Sequence, residues 1–93
     1  MKKNTGMKSR KITFHLATEP GSQVFVAGTF NNWNPTQHRM RDNPDGGLFK
    51  IALTLPPGRH EYKFVVNGEW RLDPGCPDWL PNSVGTLNSV VSV

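Results

Sequence analysis

Apolar side chains recur at every second position through most of this chain. Ile12, Phe14 and Leu16 alternate with Lys11, Thr13 and His15, and Phe49, Ile51, Leu53 and Leu55 alternate with Lys50, Ala52 and Thr54. Tyr62, Phe64 and Val66 alternate in the same way with Glu61, Lys63 and Val65. A strand points successive side chains to opposite faces, so a period of two marks strands that bury one face; a helix would need a period near 3.6. Gln23 to Ala27 is a more continuous apolar run, Leu87 to Val93 is rich in valine, and no long segment carries a helical period. The runs are separated by Glu19-Pro20-Gly21-Ser22, by Asn43-Pro44-Asp45-Gly46-Gly47, by Pro56-Pro57-Gly58 and by Asn67-Gly68. These residue types make turns for distinct reasons: glycine admits positive φ, proline fixes φ, and asparagine and aspartate bond their own backbone. About six or seven short strands so punctuated predict an all-β fold, an antiparallel β-sandwich of immunoglobulin-like type.

One turn sets a register. Asn-Gly favours the two-residue type I′ hairpin, because both central residues then need positive φ. Val66 therefore faces Glu69, Val65 faces Trp70, Phe64 faces Arg71 and Lys63 faces Leu72. Trp70 and Lys63 fall diagonally on one sheet face, about 7 to 8 Å apart. That face is opposite the one carrying Tyr62, Phe64 and Val66. With Val65 and Leu72 beside them, it is expected to be an outer surface that is unusually apolar, with a polar handle.

Length and charge limit what such a sandwich does. Ninety-three residues make one domain with a thin core and little material for a deep cleft. The formal net charge of +4 is not spread over that domain. Lys2, Lys3, Lys8, Arg10 and Lys11 precede the first acid, Glu19, and leave six cations against seven carboxylates from residue 12 onward. The expected organisation is a disordered basic tail over residues 1–10 and a near-neutral domain over 11–93, with no nucleic-acid partner. The lone Cys76 can form no internal disulfide, which suits a reducing compartment. No stretch has the apolar length of a signal peptide or a membrane span, so a cytoplasmic protein without membrane association is expected.

The chain offers little to a catalytic reading. Asp42 and Asp45 sit in a glycine-rich turn and Asp73 precedes Pro74, positions where aspartate serves turn hydrogen bonds. His15, His38 and His60 have no metal-ligand partner spacing, the serines lie in no nucleophile elbow, and the glycines form no phosphate loop. No catalytic residue, metal or cofactor is expected.

Three tryptophans, Trp33, Trp70 and Trp79, fall outside the alternating core pattern. Trp33 lies in the polar segment Gly28-Thr29-Phe30-Asn31-Asn32-Trp33-Asn34-Pro35, where Phe30 is the better anchor into the core. Each indole either covers an end of the sandwich or presents a flat apolar face with a polar edge. Such a face suits a pyranose ring, whose hydroxyls neighbouring asparagine and lysine can bond.

Gly28-Thr29-Phe30-Asn31-Asn32-Trp33, the stretch from Leu55 through Lys63 to Trp70, Asp73-Pro74, and Gly85-Thr86-Leu87-Asn88-Ser89-Val90-Val91 together resemble the glycogen-binding domain of the β subunit of AMP-activated protein kinase. More broadly the chain looks like carbohydrate-binding module family 48, which includes the N-terminal domains of isoamylases and branching enzymes. The resemblance covers roughly residues 12–93. It implies an early-set immunoglobulin-like sandwich that recognises α-1,4-linked glucans such as glycogen, starch and maltooligosaccharides. Transferred residue by residue, it implies stacking platforms at Trp33 and Trp70 and polar contacts from Lys63, Thr86 and Asn88. Val84 falls where the kinase module has a leucine that reaches into a curved glucan, so affinity for strongly curved glucans is expected to be lower. The stretch 75–83 departs from the kinase pattern, and Trp79 inherits no role. The expectation is a non-catalytic glucan-binding module; the alternative is a scaffolding domain that docks on a kinase or a glucan-metabolising enzyme without binding sugar.

Overall fold

The computed structural model describes residues 8–93. Among these residues nine strands follow one another: β1 Arg10–Ala17, β2 Val24–Gly28, β3 His38–Arg39, β4 Arg41–Asp42, β5 Leu48–Leu55, β6 Arg59–Val66, β7 Glu69–Arg71, β8 Trp79–Pro81 and β9 Leu87–Ser92. All ladders are antiparallel, and a single 3₁₀ turn at Thr29–Asn31 is the helical element among the described residues. The smaller sheet runs β1-β5-β4; the larger runs β3-β2-β6-β9-β8, with β7 also against β6. The excess over the expected strand count comes from short pieces. His38–Arg39 and Arg41–Asp42 flank the buried Met40, where one chain segment passes from the large sheet to the small.

The period-two runs become the facing inner surfaces. Phe14 and Leu16 of β1 and Phe49 and Leu55 of β5 meet Val24 and Val26 of β2 and Tyr62, Phe64 and Val66 of β6. Phe64 is fully buried, and the rings of Phe14 and Tyr62 meet edge to face at 4.8 Å. The Asn67-Gly68 turn has both residues at positive φ, 50° and 85°, and the Val66–Glu69, Val65–Trp70 and Phe64–Arg71 pairs form as the turn chemistry requires; the expected fourth pair, Lys63–Leu72, does not form, because β7 ends at Arg71.

Two expectations change. Val65 does not add to an exposed patch: it is only 4% exposed, flanked on the outer face by its ladder neighbours Phe25 and Trp70. The sandwich also begins at Arg10, within the stretch expected as tail, because its backbone pairs with Leu55 while its side chain stays exposed. A ladder bond is indifferent to the charge of an outward side chain. Residues 1–7 of that expected tail lie outside the described residues.

No helix among the described residues is long and apolar enough to cross a membrane.

Candidate functional site

The site arises from how β6 shares its edge. Tyr62 to Val66 pair with β2 on one side. On the other side, Arg59 to Tyr62 pair with β9 and Phe64 to Val66 pair with β7. Lys63 stands at the change of partner, where the chain of β7 turns away and the sheet opens. Its side chain shares the outer face with Glu61 and Val65, and its Nζ donates to Thr86 Oγ1 at 2.9 Å.

Around this opening lies a groove of about 720 Å³, a volume within the range of small-ligand sites. Trp33, Lys63, Trp70, Val84, Thr86 and Asn88 all line it, together with Thr29, Glu61, Pro81, Asn82 and Ser83. The fold thus brings all six sequence-derived candidates into one concavity. The indoles of Trp33 and Trp70 lie 6.4 Å apart between ring centres, inclined by 53°. Trp70 remains 47% exposed although it belongs to a strand, so its face is available rather than buried.

Trp33 reaches the groove through an unusual backbone. Asn32 and Trp33 are both left-handed, with φ of 55° and 58°, a conformation that disfavours a bulky side chain. It is imposed from below. The buried Asn31 accepts from the Gly28 N–H at 3.0 Å and donates to the Val26 carbonyl at 3.1 Å, clamping the 3₁₀ turn onto the end of β2. The Trp33 N–H then donates to the Gly28 carbonyl at 2.9 Å. Gly28 must be glycine for want of space: a Cβ there would run into the Glu61 carbonyl oxygen, the Phe30 ring and Tyr62 Cβ. Phe30 anchors the turn as expected, half-buried against the core with its ring 5.7 Å from that of Phe14.

The opposite wall is polar. Asn88 is buried and donates from Nδ2 to Glu61 Oε1 at 3.0 Å. Asn82 donates to Thr86 Oγ1 at 2.6 Å and to Asn88 Oδ1 at 3.0 Å, and accepts from the Val84 and Thr86 N–H groups. Val84, at the tip of this loop, is 80% exposed. Neither Glu61 nor Asn82 was singled out from sequence. Glu61 was within reach, since it precedes Lys63 by two on one strand face, whereas Asn82 reads as one more turn residue after Pro81.

The other candidates for chemistry are occupied structurally. Asp42 Oδ1 accepts from the Gly47 and Leu48 N–H groups, which closes the β4–β5 hairpin. Asp73 Oδ1 accepts from the Gly75 N–H, and its Oδ2 accepts from the Tyr62 hydroxyl at 2.6 Å. Burial first, then this carboxylate, pushes the Tyr62 phenol above its ordinary value. Among the described residues Glu61 is the one carboxylate lining the groove, and no acid and base pair of these residues flanks it. No group of three metal-ligating side chains occurs among the described residues. The Cys76 Sγ lies 3.1 Å from the Asp78 carbonyl oxygen and 3.2 Å from that of Val90, which share its one proton. Trp79, 55% exposed at the start of β8, pairs with Ser89, and so stands on the sheet face opposite Leu80, Asn88 and the groove.

Residues 11–93 match the family described as the glycogen recognition site of AMP-activated protein kinase. The chain is 38% identical over 76 residues to the mouse 5'-AMP-activated protein kinase subunit beta-2, which covers 82% of this chain and 27% of that protein. The human beta-2 subunit gives the same identity over the same length, with 26% of that protein covered. The pig beta-1 subunit is 37% identical over 76 residues, with 58% of its sequence covered. The chain therefore spans about a quarter of the length of the curated beta-2 relatives it matches. This chain, a β-sandwich with an aromatic groove on its outer face that the family matches over residues 11–93, belongs to the family of glycogen recognition sites of AMP-activated protein kinase.

Proposed function

We propose that this domain is a non-catalytic module that binds α-1,4-linked glucans, glycogen and starch among them, in the groove between Trp33 and Trp70. The observation that carries this is the pair of indoles, 6.4 Å apart and inclined by 53°, beside a wall of hydrogen-bonding side chains. Coplanar rings suit a flat ribbon of sugars; two inclined faces suit a chain that turns between residues, as an α-1,4-glucan does. Each pyranose lays its apolar face on an indole, and its rim hydroxyls bond Lys63, Thr86 and Asn88. Val84 closes one side of the groove, and its short side chain favours an open, weakly curved stretch of glucan over a small ring. Neither a metal nor a cofactor takes part, and catalysis belongs to a partner, a kinase or a glucan-metabolising enzyme of the cytoplasm, which the module brings to the polymer.

Stacking contributes about 0.5 to 1.5 kcal/mol per ring beyond its buried area, and each hydrogen bond about 1 kcal/mol before ordering costs. The sum gives a dissociation constant of roughly 1 μM to 1 mM for a linear glucan of several units. Co-sedimentation with glycogen tests the reading. Retention of the parent protein, and release by free maltoheptaose, is the expected result; passage of the parent through glycogen unretained would leave the docking-domain alternative.

A further inference from the structure

We infer that Asn82 fixes the polarity of the groove's hydrogen bonds and makes Thr86 a donor toward the ligand, an assignment that rests on the glucan reading of the groove.

Asn82 Oδ1 faces two backbone N–H groups, those of Val84 at 3.1 Å and Thr86 at 3.0 Å. Only an oxygen can accept from both, so the orientation of this amide is fixed and its Nδ2 must point the other way. Nδ2 has two hydrogens, and two acceptors lie there: Thr86 Oγ1 at 2.6 Å and Asn88 Oδ1 at 3.0 Å. Asn88 is oriented by the same logic at its other end, because Glu61 Oε1 can only accept and the Asn88 Nδ2 lies 3.0 Å from it. All four bonding positions of the Asn82 side chain are thus filled by the protein itself.

The consequence falls on Thr86. Its Oγ1 accepts from Asn82 at 2.6 Å and from the Lys63 ammonium at 2.9 Å, which occupies both lone pairs of the hydroxyl. Its one hydrogen has no acceptor among these neighbours, and Thr86 is exposed on the groove wall. The hydroxyl therefore presents a proton to the groove, polarised by an ammonium and an amide behind it. It selects a ligand oxygen that accepts, such as a sugar hydroxyl or ring oxygen. Asn82 touches no ligand in this arrangement; it is a positioning residue that acts through Thr86.

Asn82→Asp separates this role from loop folding. The carboxylate still accepts from the Val84 and Thr86 N–H groups, so the turn persists, but it can no longer donate, and the Thr86 hydroxyl turns back to donate to it. Thr86→Val removes the hydroxyl at constant shape. Binding of maltoheptaose by the parent, by each single variant and by the double variant is measured calorimetrically, with melting temperatures recorded alongside. The expected result is that N82D melts within about 4 °C of the parent. Each single variant binds about five- to tenfold more weakly, and the double variant about as weakly as T86V alone. An N82D protein that binds like the parent, or losses that multiply in full in the double variant, would overturn the assignment. A parent that does not bind overturns instead the glucan reading on which it rests.

Discussion

The indoles of Trp33 and Trp70 lie 6.4 Å apart, one held by a left-handed loop residue and the other by a strand that pairs with β6. Two unrelated pieces of local structure thus build one aromatic floor. Trp33→Ala and Trp70→Ala are each expected to weaken glucan binding about tenfold while leaving the fold intact, as loss of a stacked ring implies. Because the rings neighbour one another, the double variant should fall short of the product of the two losses. Titration calorimetry on the three proteins reads this directly.

A neutral ligand makes a second expectation. Binding that rests on stacking and hydrogen bonds to an uncharged sugar should change little between low and high salt, since screening acts on exposed charges. A steep fall in affinity with salt would point to an anionic ligand attracted by the basic residues of the chain.

Gly28→Ala should destabilise the domain by about 1 to 3 kcal/mol, because its methyl has to displace the Glu61 carbonyl and the Tyr62 and Phe30 side chains. For a domain of this size that lowers the melting temperature by roughly 4 °C or more. Asn31→Ala should cost a similar amount, through the loss of its buried bonds to Gly28 and Val26. It should also weaken glucan binding, because the left-handed turn that presents Trp33 loses its clamp.

Tyr62 is the only tyrosine in the chain, so its ionisation is readable by ultraviolet absorbance at alkaline pH. Burial and the Asp73 carboxylate hold its folded-state value above the ordinary one, whereas the unfolded chain releases the proton near pH 10. Stability contributed by this group is therefore full below about pH 10 and declines as the pH rises beyond it. Tyrosinate absorbance should appear together with loss of structure rather than before it, and Tyr62→Phe should lessen the alkaline slope.

How far the sequence spoke depended on the kind of signal. The inner faces of β1, β5 and β6 were legible because a period of two has one physical cause, and the Asn67-Gly68 turn gave the pairs nearest to it, Val66–Glu69 to Phe64–Arg71, but not where the ladder stops, since Lys63 and Leu72 do not pair. Trp70 and Lys63 could be placed on one face by counting alone. That Trp33 joins them depends on Asn31 bonding back to β2 and on two consecutive left-handed residues, which no periodicity encodes. Asn82 was invisible for a related reason: its importance lies in four simultaneous bonds to residues ahead of it in the loop and on β9. The small strands β3 and β4 were missed because two-residue ladders leave no alternation to read.

Chemical-shift changes followed residue by residue as maltoheptaose is added to the isotope-labelled protein show whether the Trp33–Trp70 groove takes sugar. The indole N–H signals of Trp33 and Trp70 and the amides of Lys63, Thr86 and Asn88 are expected to move together and saturate at millimolar sugar or below, while Trp79, on the far face of the sheet, stays still. No movement at millimolar sugar, or movement confined to Trp79 and the smaller sheet, would contradict sugar binding in this groove.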